Sequence, residues 1–171
     1  MFKPIFLSLA LLFCATIAST AYAAANRPAA AWNYYHFDGR AFIPGPAVDG
    51  NAFIAVREKF LPIVLTAPTA TTKQTPLPVG TGVIAGICYL QTSGGKLGGS
   101  GSFMPCQRVP LTIFSAGKPF ITVQTDDNGY FVVVLPAGSY SIGGEPFSAA
   151  VTVERGITTL APLRAGKRMV D

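Results

Sequence analysis

The chain has 171 residues, of which 50% are hydrophobic and only 12% are charged, with a net charge of +5 and a single histidine. This length is sufficient for one domain with a substantial apolar core. The lysines and arginines are scattered and form no basic stripe interleaved with aromatic side chains, which argues against nucleic-acid binding.

Residues 1–23 have the pattern of a secretory signal peptide. Lys3 provides a short positive start, an apolar run extends from Ile5 to Ile17, and Ala21-Tyr22-Ala23 fits a cleavage site. A membrane anchor would need roughly 18–20 uninterrupted apolar residues, and this run is shorter. We therefore expect cleavage after Ala23, export to the periplasm or to the cell surface and medium, and no transmembrane helix in the mature chain.

Residues 24–66 predict a β-rich extension in which short strand patterns alternate with turn residues. Its main feature is an aromatic run from Trp32 to Phe37, which contains the only tryptophan and the only histidine of the chain. The run predicts an aromatic edge strand that covers the rest of the protein, or else a surface that contacts a partner protein or stacks on a glycan. The candidate contact residues are Trp32, Tyr34, Tyr35 and Phe37. Further short strands are predicted at 41–43, 52–56 and 60–65. They could complete the sandwich, form a small sheet of their own, or pair with another chain and so add to the contact surface.

The segment from Ala67 to Val79 is rich in Pro and Thr and has no periodicity, which predicts a semi-extended linker. It would separate the extension from a second region, residues 80–171. On this interpretation, deletion of residues 24–66 leaves the second region folded.

Cys88 and Cys106 are the two cysteines that remain once a signal peptide is removed. They flank a Gly- and Ser-rich loop from Thr92 to Ser102. An even pair in an exported chain predicts a disulfide, whereas a redox pair would favour a C-x-x-C spacing. We therefore expect a structural Cys88–Cys106 bond.

The stretch from Phe120 to Ile142 predicts three short strands joined by tight turns. Phe120 to Thr125 is rich in β-branched and aromatic residues and ends at the turn sequence DDNG. Tyr130 to Leu135 then carries apolar side chains on both faces, which indicates a central strand or a strand whose outer face is covered by another part of the chain. Pro-Ala-Gly ends this strand before the alternation resumes.

This stretch resembles the signature of carboxypeptidase-regulatory-like domains, which are relatives of the transthyretin-like and Cna-B-type β-sandwiches. The resemblance covers about residues 80–163, and its signature positions are Thr125, Asp126, Gly129, Phe131, Leu135, Pro136, Gly138 and Tyr140. It implies an all-β fold, a Greek-key or transthyretin-like β-sandwich to which the N-terminal β-rich extension is added. The first two strands would be 82–90 and 109–113. It also implies an accessory role, because in that family the module braces, tethers or presents other parts.

The rest of the chain predicts two more strands and a tail. Alternating side chains indicate strands at 148–154 and 157–163, and Arg164 to Asp171 predicts a short basic tail.

The chain offers few residues for chemistry. A single histidine argues against a two-histidine zinc site, and a Ser-His-Asp triad would have to use His36. Asp126, Asp127 and Asn128 could offer oxygens to calcium, but their spacing is not that of an EF-hand loop and a turn is favoured. No catalytic residue, metal ligand or cofactor is therefore predicted.

Together these patterns predict an exported, non-enzymatic β-sandwich that binds or braces another protein of the cell envelope or surface. The alternative is a carbohydrate-binding module that uses the aromatic residues of the extension.

Overall fold

A computed structural model describes residues 31–47, 50–67, 73–94, 103–143 and 147–170. The expected signal peptide and most of the Gly- and Ser-rich loop lie outside these residues. Within them all regular structure is β, and Trp32–Asp171 forms one compact unit. The strands are β1 (Asn33–Phe37), β2 (Phe42–Pro44), β3 (Phe53–Val56), β4 (Ile63–Leu65), β5 (Thr81–Gly94), β6 (Phe103–Pro105), β7 (Pro110–Ser115), β8 (Lys118–Gln124), β9 (Tyr130–Pro136), β10 (Gly138–Ile142), β11 (Ala149–Val153) and β12 (Thr158–Val170).

These strands form three sheets, which we term the N-terminal, central and outer sheets. The strand order is β2-β1-β3-β4 in the N-terminal sheet and β11-β10-β7-β8 in the outer sheet. In the central sheet, β12 lies along one edge of β5, while β9 and then β6 lie along the other. Paired strands are antiparallel, except that β5 and β12 run parallel. The prediction of an all-β sandwich with an N-terminal β-rich extension is confirmed.

Two apolar cores place the central sheet between the other two sheets. One core joins the central and outer sheets, and its fully buried members include Ile84, Ile113 and Ile142. The other core joins the central and N-terminal sheets through residues such as Ile54 and Ile87. Each fully buried side chain of this size stabilises the fold by about 1.5–3 kcal/mol. The protein is therefore a β-sandwich with a third β layer on one face.

Strand β9 shows how the sequence produces this arrangement. Phe131, Val133 and Leu135 lie in the core that faces the outer sheet, while Tyr130 and Val132 pack on the opposite side, in the core that faces the N-terminal sheet. A strand with apolar side chains on both faces needs cover on both faces. The predicted covering of this strand by another part of the chain is thus explained by the N-terminal sheet.

A glycine in β5 allows β5 and β9 to pack closely. Gly86 pairs with Phe131, and a Cβ atom at Gly86 would come within 2.5 Å of the Phe131 ring. A Cβ atom at Gly86 would also clash with the Ala161 carbonyl oxygen of β12, so a larger residue at this position would force a neighbouring strand or ring to shift.

Two predicted elements differ from the structure. The expected basic tail from Arg164 continues strand β12, which pairs with β5 as far as Gly94 and contains a register shift between Arg164 and Gly166. Local pattern did not predict this strand, because it carries basic side chains and its partner β5 lies more than 70 residues earlier in the chain. The expected aromatic edge strand is β1, which lies inside its sheet between β2 and β3.

The described end of the expected linker is held in place by main-chain hydrogen bonds. The Leu61 N–H donates to the Thr75 carbonyl at 2.8 Å, and the Leu77 N–H donates to the Lys59 carbonyl at 2.9 Å. Lys59 also donates its N–H to the carbonyl of Gly156, in the turn between β11 and β12, at 2.7 Å. These bonds attach the β3–β4 loop both to the linker segment and to the sandwich.

Candidate partner-binding surfaces

Cys88 and Cys106 form the expected disulfide. Their Cα atoms are 5.3 Å apart and their positions are 18 residues apart in the chain. The Cys106 N–H also donates to the Cys88 carbonyl at 2.9 Å, and Cys88 is fully buried. The bond therefore joins the middle of β5 to the segment between β6 and β7, and it forms part of the core.

The signature residues around the β8–β9 turn hold the main chain together. Thr125 is 3% exposed, and its hydroxyl donates to the Cys106 carbonyl at 2.6 Å while it accepts the Val109 N–H at 2.8 Å. The Asp126 carboxylate accepts the N–H groups of Asn128 and Tyr130, each at 2.8 Å. Thr125 and Asp126 therefore have structural roles, because their side chains hydrogen-bond the main chain around this turn.

Packing or hydrogen bonding explains four of the other signature residues, which are Gly129, Phe131, Leu135 and Tyr140. Gly129 has a φ of 79°, and a Cβ atom there would lie 2.7 Å from the Cys88 carbonyl oxygen, so the turn requires glycine. The Tyr140 hydroxyl donates to the Pro136 carbonyl at 2.9 Å, across the turn between β9 and β10. Gly138 lies beside the Tyr140 ring, and Phe131 and Leu135 are core residues.

An exposed ion pair links the β8–β9 turn to the segment before β7. The Arg108 guanidinium donates to both carboxylate oxygens of Asp127, at 2.6 and 3.0 Å. The hydrogen bonds from Arg108 and its positive charge lower the pKa of Asp127, and the same hydrogen bonds together with the negative charge of Asp127 raise the pKa of Arg108. Both side chains are about two-thirds or more exposed, so solvent screens the pair and its contribution to stability is small.

The aromatic residues of the extension occupy different environments. Trp32, Tyr34 and Tyr35 are half-buried, and the Tyr34 ring packs edge-on against Phe53 at 5.8 Å. Phe37 is only 7% exposed, because it points into the core beneath the N-terminal sheet. The hypothesis that Phe37 contacts a partner is therefore corrected to a role in the core, whereas the other three aromatic residues keep part of their surface in solvent.

The histidine of the aromatic run is engaged locally. The Nδ1 atom of His36 lies 3.1 Å from the Gly45 carbonyl, so in the tautomer protonated at Nδ1 the ring donates a hydrogen bond to that oxygen. Among the described residues, no group of three or more His, Cys, Asp or Glu side chains could hold a metal ion. The described part of the chain also contains no helix long and apolar enough to cross a membrane.

Strand β8 is the most exposed apolar strand that the structure describes. It pairs with β7 on one edge, and no described strand pairs with its other edge. Phe120 is 53% exposed and Ile121 is 44% exposed. The sequence predicts the strand but not its position at the edge of a sheet, because edge and inner strands differ in their neighbours rather than in their alternation.

No protein-family model matches this chain, and no curated protein matches it significantly. The resemblance to carboxypeptidase-regulatory-like domains thus remains a prediction from its signature residues.

Two solved structures are similar to parts of this chain. The minor pilin of the Gram-positive pathogen Streptococcus agalactiae is 12% identical over 76% of this chain, with a TM-score of 0.40. A DUF3823 family protein from Parabacteroides merdae is 17% identical over 51% of this chain, with a TM-score of 0.36. The matched parts span 66% of the pilin chain and 46% of the DUF3823 chain.

Proposed function

We propose that this chain is an exported β-sandwich module that acts without catalysis, by binding another protein of the cell envelope or surface. The observation that carries the proposal is strand β8. Unpaired strand edges with apolar side chains are sites where a segment of another protein can add as a further strand.

The composition of β8 supports binding along its later part. Lys118 and Pro119 stand at its start, and a charge and a proline are the residues that usually protect an edge. From Phe120 to Gln124 the strand carries no charge and no further proline. The unprotected part is therefore long enough for a short segment of a partner.

The main-chain geometry identifies which groups of β8 are available. The Gly143 N–H donates to the Thr112 carbonyl, so the main-chain groups of Thr112 point towards β10 and away from β8. Thr122 lies opposite Thr112, and in an antiparallel pair both members of such a position point their main-chain groups outwards. The N–H and C=O groups of Thr122 thus face the free edge.

Export is supported by two features. The Cys88–Cys106 disulfide is typical of proteins in oxidising compartments. The pattern of residues 1–23 predicts the signal peptide that would take the chain there. We place the mature protein in the periplasm or at the outer surface of the cell.

The proposal is tested by crosslinking the tagged mature protein in its native envelope with an amine-reactive reagent and identifying the products by mass spectrometry. Lys118 begins β8, whereas Lys59 lies in the β3–β4 loop of the N-terminal sheet. We expect reproducible crosslinks from Lys118 to one protein. Crosslinks from Lys59 alone would instead assign binding to the N-terminal sheet and its half-buried Trp32, Tyr34 and Tyr35.

A pair of variants at one position provides the matched control. Thr122→Pro removes an outward-facing N–H without breaking a bond to β7, and we expect at least a tenfold loss of the Lys118 crosslinks. Thr122→Val keeps the N–H and the strand preference, so its crosslinks should be unchanged. A folded Thr122→Pro protein with full crosslinking would refute binding at β8, and a protein recovered alone would refute the accessory role.

The absence of catalysis is a separate part of the proposal. Hydrolase activity of the purified protein that disappears in a His36→Ala variant would overturn it.

A further inference from the structure

The free edge of strand β8 is complementary to the same edge of a second copy of this chain. The main-chain groups of Thr122 face this edge, and those of Gln124, two residues further along the strand, face the same way. Two copies that meet antiparallel with Thr122 opposite Thr122 would exchange two N–H···O=C bonds at that position. The same register brings Gln124 of each copy opposite Phe120 of the other.

The side chains of β8 favour this register. In it the uncharged segment from Phe120 to Gln124 overlaps its own copy over the whole length, whereas any shift leaves part of the segment unpaired. Ile121 of one copy then lies opposite Val123 of the other. The partners of these two residues on β7 are core residues, so both side chains lie on the inner face of the outer sheet. The pairing would therefore cover Ile121, which is 44% exposed.

The charges at the two ends of β8 fit the same register. With Thr122 opposite its copy, Lys118 of one chain lies opposite Asp126 of the other. The Asp126 carboxylate accepts two main-chain N–H groups, both at Oδ1, and its Oδ2 atom has no hydrogen-bond partner in the described part of the chain. Lys118 is exposed and forms no ion pair with the described residues. The twofold axis would thus bring an unpaired cation near an open carboxylate oxygen at both ends of the paired strands.

We propose that the mature protein forms a weak symmetric dimer in which the β8 strands of two copies pair antiparallel about Thr122. This inference rests on the proposed function, because it uses the same edge, and it names what covers that edge when no other protein is bound. An unpaired apolar edge promotes aggregation, and a closed twofold pairing removes it from solvent. The dimer must separate before a segment of another protein can add to β8.

Cysteine substitutions in the purified mature protein test the register. In Thr122→Cys the two Cα atoms at position 122 would lie about 5.5 Å apart, a distance that a disulfide can span. Gln124→Cys is the matched control, because the two copies of position 124 would lie about 13 Å apart along the strands. Under mild oxidation we expect at least tenfold more covalent dimer from Thr122→Cys than from Gln124→Cys.

Sedimentation velocity of the unmodified mature protein measures the dimer itself. We expect a dissociation constant on the order of 10 μM, because so short a pairing buries less area than a standard interface. Lys118→Glu places a negative charge opposite Asp126 and should weaken the dimer at least fivefold. Lys167→Glu makes the same change of charge on β12, at the far edge of the central sheet, and should alter the constant less than twofold.

Two outcomes would overturn the dimer. One is a protein that stays monomeric at about 500 μM, far above the expected dissociation constant. The other is equal crosslinking of Thr122→Cys and Gln124→Cys. Neither outcome touches the proposed function, which would stand on crosslinks from Lys118 to another envelope protein. Conversely, a dimer that pairs at Thr122 in a protein without such crosslinks would keep this inference and refute the proposed function.

Discussion

The hydroxyl group of Tyr130 donates a 2.8 Å hydrogen bond to the carbonyl oxygen of Ala52, which lies 78 residues earlier in the chain. Both residues are buried, at 4% and 8% exposure. Because Tyr130 belongs to the central sheet and Ala52 leads into β3, this bond joins the N-terminal sheet to the sandwich.

Replacement of Tyr130 by Phe should destabilise the protein by about 1–2 kcal/mol, because it leaves the buried Ala52 carbonyl without its donor. Urea denaturation measures the loss. Hydrogen exchange provides an internal control, since protection should fall in β3 and stay unchanged in β10 and β11. An unchanged midpoint together with unchanged exchange in β3 would show that this bond is not needed.

Removal of the N-terminal sheet should expose an apolar face, contrary to the expectation from the sequence that residues 80–171 fold independently. Ala85, Ile87, Tyr89 and Tyr130 lie buried beneath that sheet. A protein that lacks residues 24–79 is therefore expected to bind a hydrophobic dye and to self-associate. Size-exclusion chromatography and dye fluorescence would show this.

A shorter deletion of residues 24–30 is the matched control, because it keeps β1 and the whole sheet. It should remain monomeric. A soluble, dye-free protein after the longer deletion would mean that the sandwich does not need its third layer.

Thr125 should be more sensitive to the loss of its hydroxyl than to the loss of its methyl group. Thr125→Val keeps the shape but leaves the Cys106 carbonyl and the Val109 N–H without their partner, at a cost of about 2–3 kcal/mol. Thr125→Ser keeps both bonds and should cost about 1 kcal/mol. Denaturation curves of the two variants measure which substitution costs more stability. A Thr125→Val protein as stable as Thr125→Ser would contradict the prediction.

The Arg108–Asp127 pair predicts a small acid dependence of stability. The pKa of Asp127 is lowered in the folded state, so its contribution is present above the pKa of the unfolded chain, about 3.9, and is lost as the pH falls through the lower folded value. We expect Asp127→Asn to lower the melting temperature slightly at neutral pH. The difference in melting temperature between the variant and the parent protein should vanish once the pH lies below the folded-state pKa of Asp127.

An NMR titration tests the cause directly. In Arg108→Gln the pKa of Asp127 should return towards its usual value. The pKa of Asp38 is lowered mainly by the main-chain N–H groups of Ala41 and Arg40, so it should not change. Equal shifts of both carboxyl groups would point to a general change in charge rather than to this pair.

The disulfide should contribute about 3 kcal/mol, because it closes a loop of 18 residues in the unfolded chain. The double variant Cys88→Ala and Cys106→Ala should unfold at a correspondingly lower urea concentration. Addition of a reductant should lower the midpoint of the parent protein but not that of the variant. Equal midpoints of the variant and the oxidised parent would show that the bond is dispensable for stability.

Much of the sandwich could be predicted from local pattern. The alternation in Tyr130–Pro136, the turn at DDNG and the signature residues located β8, β9 and β10 because strand period and turn chemistry act over a few residues. The Cys88–Cys106 bond followed from the number of cysteines and the expected export. The apolar side chains on both faces of β9 indicated either a central strand or a strand whose outer face another part of the chain covers.

The sequence alone determined the class of fold, the positions of most strands along the chain and the residues that need cover, since these depend on neighbours along the chain. Only the tertiary structure decided which surfaces remain open. The parallel pairing of Arg164 to Val170 with β5, the free edge of β8 and the burial of Phe37 all depend on residues far apart in sequence. Such contacts result from how sheets stack to bury their apolar faces, and this stacking cannot be predicted from the local spacing of residues.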